Sequence, residues 1–165
     1  MPSTYRADRI DGRLLLALVE APRATAVALA ERLGLSRNTV QARLVRLDES
    51  DALETFERRI APAAIGYPLQ AFILTNVTQR KLDQVAACLD QVPEVLEVHG
   101  LTGVADLLIQ VVARDADDLY RVAGQILDIK GVKRTSTALV MRRLVPYRIN
   151  PLVAGLVGQA TDPVP

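Results

Sequence analysis

Apolar positions recur at helical spacing through the first third of the chain and in strand-like runs through the rest. Ile10, Leu14, Leu15 and Leu18 share one side of a helix over 8–20, and Pro22 stops it. Thr25 can cap a second helix with a buried stripe of Val27, Leu29, Ala30 and Leu33. Gly34 ends that helix by taking the left-handed conformation cheaply, and the Ser36 hydroxyl caps a third. In this third helix Val40, Leu44 and Leu47 form the inner stripe, while Asn38, Ala42, Val45 and Arg46 lie opposite. Helix, short glycine turn, helix is the helix-turn-helix layout, although any small helical bundle uses the same turns and caps. After Leu53 the chain alternates loosely, predicting a strand or wing that Pro62 ends. Glu57, Arg58 and Arg59 are expected to face solvent there, and either arginine could reach a phosphate.

Residues 62–68, PAAIGYP, read as a linker. Beyond them lie a strand (69–77), a helix (79–92, with Leu82, Val85, Ala86 and Leu89 inward), two strands (94–101 and 106–114), a helix (115–129) and a strand (132–144). The order is βαββαβ, and CLDQVPEVLEV echoes ILDIKGVKRT. The expected fold is α+β: a winged helix-turn-helix over 1–61 and a ferredoxin-like sheet with two helices on one face over 69–150. Residues 151–165 are expected to form a tail, frayed over its Gly/Pro-rich last stretch. The long apolar run Leu107–Val112 calls for cover on the second face of the sheet as well. No helices remain to supply it, so a second subunit is expected, giving a homodimer.

Composition narrows the chemistry. Twenty Lys and Arg against nineteen Asp and Glu leave a net charge of +1, so any anion-binding footprint must be local. The one cysteine, Cys88, excludes an internal disulfide and a thiolate zinc cluster, and its apolar helical setting predicts a buried structural thiol. The one histidine, His99, excludes a multi-histidine metal site and is expected to be a packed or capping side chain. No metal and no cofactor are expected. No apolar run reaches membrane-span length, and the N-terminus lacks a signal-peptide core. A soluble cytoplasmic protein without catalytic activity is expected.

Local charge points to a partner for the third helix. Between Ser36 and Leu47 stand Arg37, Arg43 and Arg46 and no acid; Asp48, Glu49 and Asp51 come only at the far end. An arginine in the first turn opposes the helix dipole, so a pure scaffold would favour an acid there. Arg37, Asn38, Thr39, Gln41, Arg43 and Arg46, with Ser36, supply the donors and acceptors that base edges and phosphates of duplex DNA can use. A solvated helix face remains the alternative. RNA recognition by the sheet would need exposed aromatics on the central strands, and 106–114 and 132–144 contain none. A small enzyme on this fold would have one His, one Cys and no carboxylate cluster in a cleft. Asp115, Asp117 and Asp118 read instead as a helix start. A sensing module that regulates a partner protein is the remaining rival.

Between the second and third strands lies LTGVAD, where Thr102, Gly103 and Asp106 sit at a chain reversal. By itself this is ordinary turn chemistry. It could also hold a zwitterion, with backbone N–H groups taking a carboxylate and Asp106 an ammonium group or simply the loop.

The helix-turn-helix, the βαββαβ domain with TGVADLL, and KRTSTALVMRRLVPY together resemble the Lrp/AsnC, or feast/famine, family of transcription regulators from about residue 8 to about 150. The resemblance implies a third helix in the DNA major groove, a RAM/ACT-like sheet domain that dimerises, and dimers assembling into tetramers or octamers. It also implies an amino-acid effector bound between those domains and acting allosterically. Carried over by position, the effector residues are Leu101, Thr102, Gly103, Ala105 and Asp106, with Thr135, Ser136 and Thr137 of the last strand. Many members have an aromatic where this chain has Ala105, which implies a roomier or less apolar pocket.

Overall fold

The computed structural model describes residues 5–50 and 52–158, with the Glu57 side chain left aside. Asp51 and residues 159–165, the end of the expected tail, lie outside this range. The chain divides into two compact units. One takes residues up to Phe56 together with the segment from Val145 onward; the other spans Glu57–Leu144. The division differs from the expected one, because the end of the chain returns to the first unit.

The first unit is built on α1 (Arg9–Glu20), α2 (Ala26–Leu33) and α3 (Arg37–Glu49). Each begins with a side chain that satisfies its free amides. Asp8 accepts from the amides of Ile10 and Asp11, and Asp11 returns the bond to the Asp8 amide. Thr25 accepts from Ala28 and Ser36 from Thr39. Gly34 has φ of 66° and ends α2, a conformation open to glycine at little cost. Leu14, Ala17, Leu29, Ala30, Val40 and Leu47 form the core, with Leu18, Leu33 and Leu44 packed around it. Val27, expected inside, is 46% exposed, because α2 is only two turns long and turns its opposite side to the core.

No wing strand follows α3 among the described residues: Phe56–Arg59 and Pro62–Ile65 are 3-10 turns. A lone extended segment has no partner to pair with, and Pro62 has no N–H to give. Part of the supposedly frayed tail is helical: α6 (Asn150–Gly158) packs on α1. It approaches at Gly12, where a Cβ would stand 2.9 Å from Val157 Cγ2.

The second unit is a four-stranded antiparallel sheet in the order β2-β3-β1-β4, from β1 (Leu69–Val77), β2 (Val95–Gly100), β3 (Leu107–Ala113) and β4 (Val132–Leu139). Helices α4 (Leu82–Leu89) and α5 (Ala116–Leu127) bury one face against Ala71, Ile73, Val77, Leu107, Ile109 and Val111. β1 alternates as a strand buried on one face should. β4 stops at Leu139 rather than 144, because its partner β1 begins just after Pro68. Helix α4 is shorter than expected and follows a 3-10 turn, Gln79–Lys81. It buries only Val85 and Leu89, so Ala86 and Cys88 are exposed. Cys88 is therefore not a core thiol. His99 is exposed on β2 beside Glu97, because its side chain points away from the helix-covered face. No helix of the second unit covers that other face, which presents Phe72, Leu74 and Leu108 half-buried or exposed.

The acids before α5 form a helix start. Asp115 accepts from the Asp118 amide, and Asp118 accepts from Arg114 Nε and the Arg114 amide and pairs with Arg121. Arg121 also pairs with Glu94. The hydrogen bonds from Arg114, aided by Arg121, hold the Asp118 carboxyl far below the usual carboxylate range. A depressed pKa stabilises the fold above the unfolded-state value and withdraws that stability as pH falls through the folded one. The Asp118 contribution is thus constant from neutral pH down to about 5 and falls away progressively below about 4. Urea midpoints against pH will show this limb, and Asp118→Asn is expected to flatten it; an unchanged limb would assign acid lability to other groups.

Candidate DNA-reading and effector sites

Helix α3 presents the residues singled out for DNA. Arg37, Asn38, Thr39, Gln41 and Arg46 are exposed, while Val40 and Leu47 are fully buried beneath them. Ser36 is exposed as well, but its hydroxyl is already engaged as the α3 cap and lies 2.8 Å from the Thr39 hydroxyl.

Arg43 is different. Its side chain is only 18% exposed, and its Nη1 lies 2.8 and 2.7 Å from the two Asp8 oxygens and 2.7 Å from Asp11 Oδ1. The Asp11 side chain is 1% exposed and also accepts from the Tyr5 hydroxyl at 2.5 Å. Burial alone would raise the Asp11 pKa. Bonds from Tyr5, the Asp8 amide and Arg43 outweigh it and leave the carboxyl below its ordinary range. Arg46, 51% exposed, stands over the Tyr5 ring, 5.2 Å from its centroid, with Nη2 3.5 Å from Asp11. Tyr5, Asp8 and Asp11 were not singled out from sequence. The Asp-x-x-Asp spacing before an apolar run does announce a capping box, but the pairing to Arg43, 32 and 35 positions away, leaves no local pattern.

The loop 101–106 is a built structure. Gly103 has φ of 118°, a region that disfavours any side chain. The Leu101 amide donates to the Asp106 carbonyl, and the Asp106 amide donates to the Thr75 carbonyl. Both Asp106 carboxylate oxygens are occupied: Oδ2 accepts from the Val77 amide and Oδ1 from Gln79 Nε2, each at 2.8 Å. Asn76 Nδ2 donates to the Val104 carbonyl. The loop is thus fastened to the end of β1. Ala105 is 6% exposed, whereas Leu101, Thr102 and Gly103 are exposed.

The three polar residues of β4 do not act as one group. Thr135 lies opposite Thr75 and Thr137 opposite Ile73, on the helix side, and Ser136 faces the other way opposite Leu74. Thr135 and the loop therefore meet at the same end of β1, while Ser136 serves the open face. Thr75 Oγ1, fully buried at this point, has no hydrogen-bond partner. A half-open cavity of about 1120 Å³ lies between 58–68 and the open face, lined by Tyr67, Gln110, Val112 and Arg143 among others; no effector candidate borders it.

Among the described residues no group of His, Cys, Asp or Glu could hold a metal, and no helix is long and apolar enough to cross a membrane.

Residues 8–48 match the AsnC-type helix-turn-helix domain and residues 70–149 the Lrp/AsnC ligand binding domain. The chain is 31% identical over 135 residues to the HTH-type transcriptional regulator FL11 of Pyrococcus horikoshii, covering 82% of this chain and 89% of that protein. It is 33% identical over 150 residues to the regulator AldR of Mycolicibacterium smegmatis, covering 87% and 88%. Among solved structures it superposes on AsnC of E. coli with a TM-score of 0.80 and 26% identity, over 89% of this chain and all of that one. A transcriptional regulator of Neisseria meningitidis, solved as its L-Met complex, gives a TM-score of 0.76 at 27% identity, over 89% and 99%. A feast or famine regulatory protein of M. tuberculosis complexed with L-methionine gives 0.75 at 29%, over 86% and 96%. With both domains matched in order and relatives named as regulators rather than enzymes, the chain belongs to the Lrp/AsnC family of transcriptional regulators.

Proposed function

We propose that the chain binds duplex DNA through α3 and that a small effector, an amino acid, modulates its DNA affinity or assembly from the loop 101–106. The exposed, acid-free row of Arg37, Asn38, Gln41 and Arg46 on a firmly capped helix carries the first half of this reading. Arginine suits guanine, and asparagine or glutamine suits adenine. The methionine complexes of two relatives support the choice of ligand class. The chain acts as a homodimer that assembles into tetramers or octamers. The uncovered, partly apolar face of the sheet supports that state, and a change in assembly alters how many readers engage DNA at once.

Asp106 keeps its place in this reading with a different duty. Its oxygens accept from Val77 and Gln79, so it shapes the loop and holds the exposed Thr102 and Gly103 where a ligand can meet them. A gel shift against the DNA upstream of the protein's own coding region tests the first half, and binding is expected to weaken steeply with salt as counterions are released. Absence of any shift favours a partner protein in place of DNA. A thermal-shift screen of the twenty amino acids, followed by sizing with any hit, tests the second half. Asp106→Ala is expected to abolish the shift produced by the hit and to lower Tm in its absence, through the orphaned Val77 amide. A full ligand response in that variant would remove the loop from the effector site.

A further inference from the structure

Arg43 and Arg46 are one helical turn apart on α3, yet they are treated in opposite ways. Arg43 is drawn under the helix into two carboxylates. Arg46 is left half exposed with its guanidinium stacked over Tyr5. The carboxylate Asp11 joins both arrangements, because it accepts from Tyr5 on one oxygen and from Arg43 on the other. Asp8 and Asp11 are also the capping pair of α1, so the same two side chains start one helix and hold another.

We propose that Tyr5, Asp8 and Asp11 form a mount for the recognition helix, in which Arg43 is a strut withheld from DNA and the Tyr5 ring presets Arg46 for its contact. The proposal rests on the DNA-binding reading above. Arg43 places Nη1 against both carboxylates, and swinging out to a phosphate would strand the buried Asp11 charge. Arg46 has a looser tie: Nη2 lies 3.5 Å from Asp11, and its planar group stands over the Tyr5 ring, which restricts rotation while half of the side chain stays exposed. An arginine ordered before contact loses less conformational freedom on binding. Tyr5 is thus a positioning residue that acts on Arg46 through its ring, while its hydroxyl serves Asp11.

The test uses the full chain and a duplex recovered by the unmodified protein from a randomised pool. The slope of log affinity against log salt counts phosphate contacts, at about 0.9 per contact. Arg46→Gln is expected to reduce that slope by about one contact. The compensated double variant Asp11→Asn with Arg43→Gln, which removes the buried charges together, is expected to leave the slope unchanged. If Arg43→Gln alone unfolds the unit, the double variant still reports. Tyr5→Ala is expected to weaken binding about fivefold to tenfold at a temperature where it remains folded, and Tyr5→Phe, which keeps the ring, to stay within about twofold of the unmodified protein. A slope loss in the double variant equal to that of Arg46→Gln makes Arg43 a DNA contact and overturns the strut. Equal affinity for Tyr5→Ala and the unmodified protein overturns the preset. Recovery of no duplex at all sinks the DNA reading and the proposal together, whereas a recovered duplex with either contrary result sinks the proposal alone.

Discussion

Arg43→Ala is expected to destabilise the helix-turn-helix unit by about 3–5 kcal/mol, the cost of removing one partner from a buried ion pair. Asp11 would keep the Tyr5 hydroxyl, the Asp8 amide and Arg46 at 3.5 Å but lose the cation at 2.7 Å, with its side chain 1% exposed. The loss exceeds that of most single substitutions at exposed sites, which stay within about 0.5 kcal/mol. In a unit of this size it corresponds to a fall in Tm of more than about 10 °C. The depressed Asp11 pKa adds a signature. The stability given by the carboxylate is present above the ordinary Asp range and lost as pH falls through the folded value. The difference between Arg43→Ala and the parent should therefore shrink below about pH 4. Denaturant unfolding followed by circular dichroism at pH 7 and at pH 3.5 measures both; a change under about 1 kcal/mol at pH 7 would mean that Asp11 is solvated.

The second large effect is on binding. Replacing Arg37, Asn38 and Arg46 together by Ala is expected to cost at least about a hundredfold in specific DNA affinity, since the base contacts of Arg37 and Asn38 contribute about 1–3 kcal/mol each and the phosphate contact of Arg46 adds to them. The three side chains are exposed, so Tm should change little, with the stack on Tyr5 and the 3.5 Å contact to Asp11 lost. The contrast with Arg43→Ala is the diagnostic: neighbouring arginines on one helix, one whose loss unfolds the unit and two whose loss silences it. Normal footprinting by the folded triple variant would remove α3 from the DNA interface.

How much of this was legible beforehand follows from the range of each interaction. The caps at Thr25 and Ser36, the glycine stop at Gly34 and the helix start at Asp115 depend on residues two to four apart, and all four stand in the structure as read. The βαββαβ order followed from period and turn residues alone. Where the reading failed, the missing information was nonlocal. Cys88 and Val27 belong to apolar segments, but exposure is set by which side of a short helix meets the core. The wing failed for want of a pairing partner, and α6 packs on α1 at Gly12, far away along the chain.

The sequence by itself determined the three helices of the first unit, the βαββαβ order, the outward row on α3 and the loop at Gly103. All of these rest on periodicity, local hydrogen bonding and backbone conformational preference, which act along the chain. Tertiary structure alone decided that Arg43 points inward, that Arg46 lies on Tyr5, and that Asp106 holds the end of β1. It also separated Ser136 from Thr135 and Thr137 through the register with β1. Those choices set a charge's partners against its desolvation, and the partners lie 27 to 41 residues away along the chain.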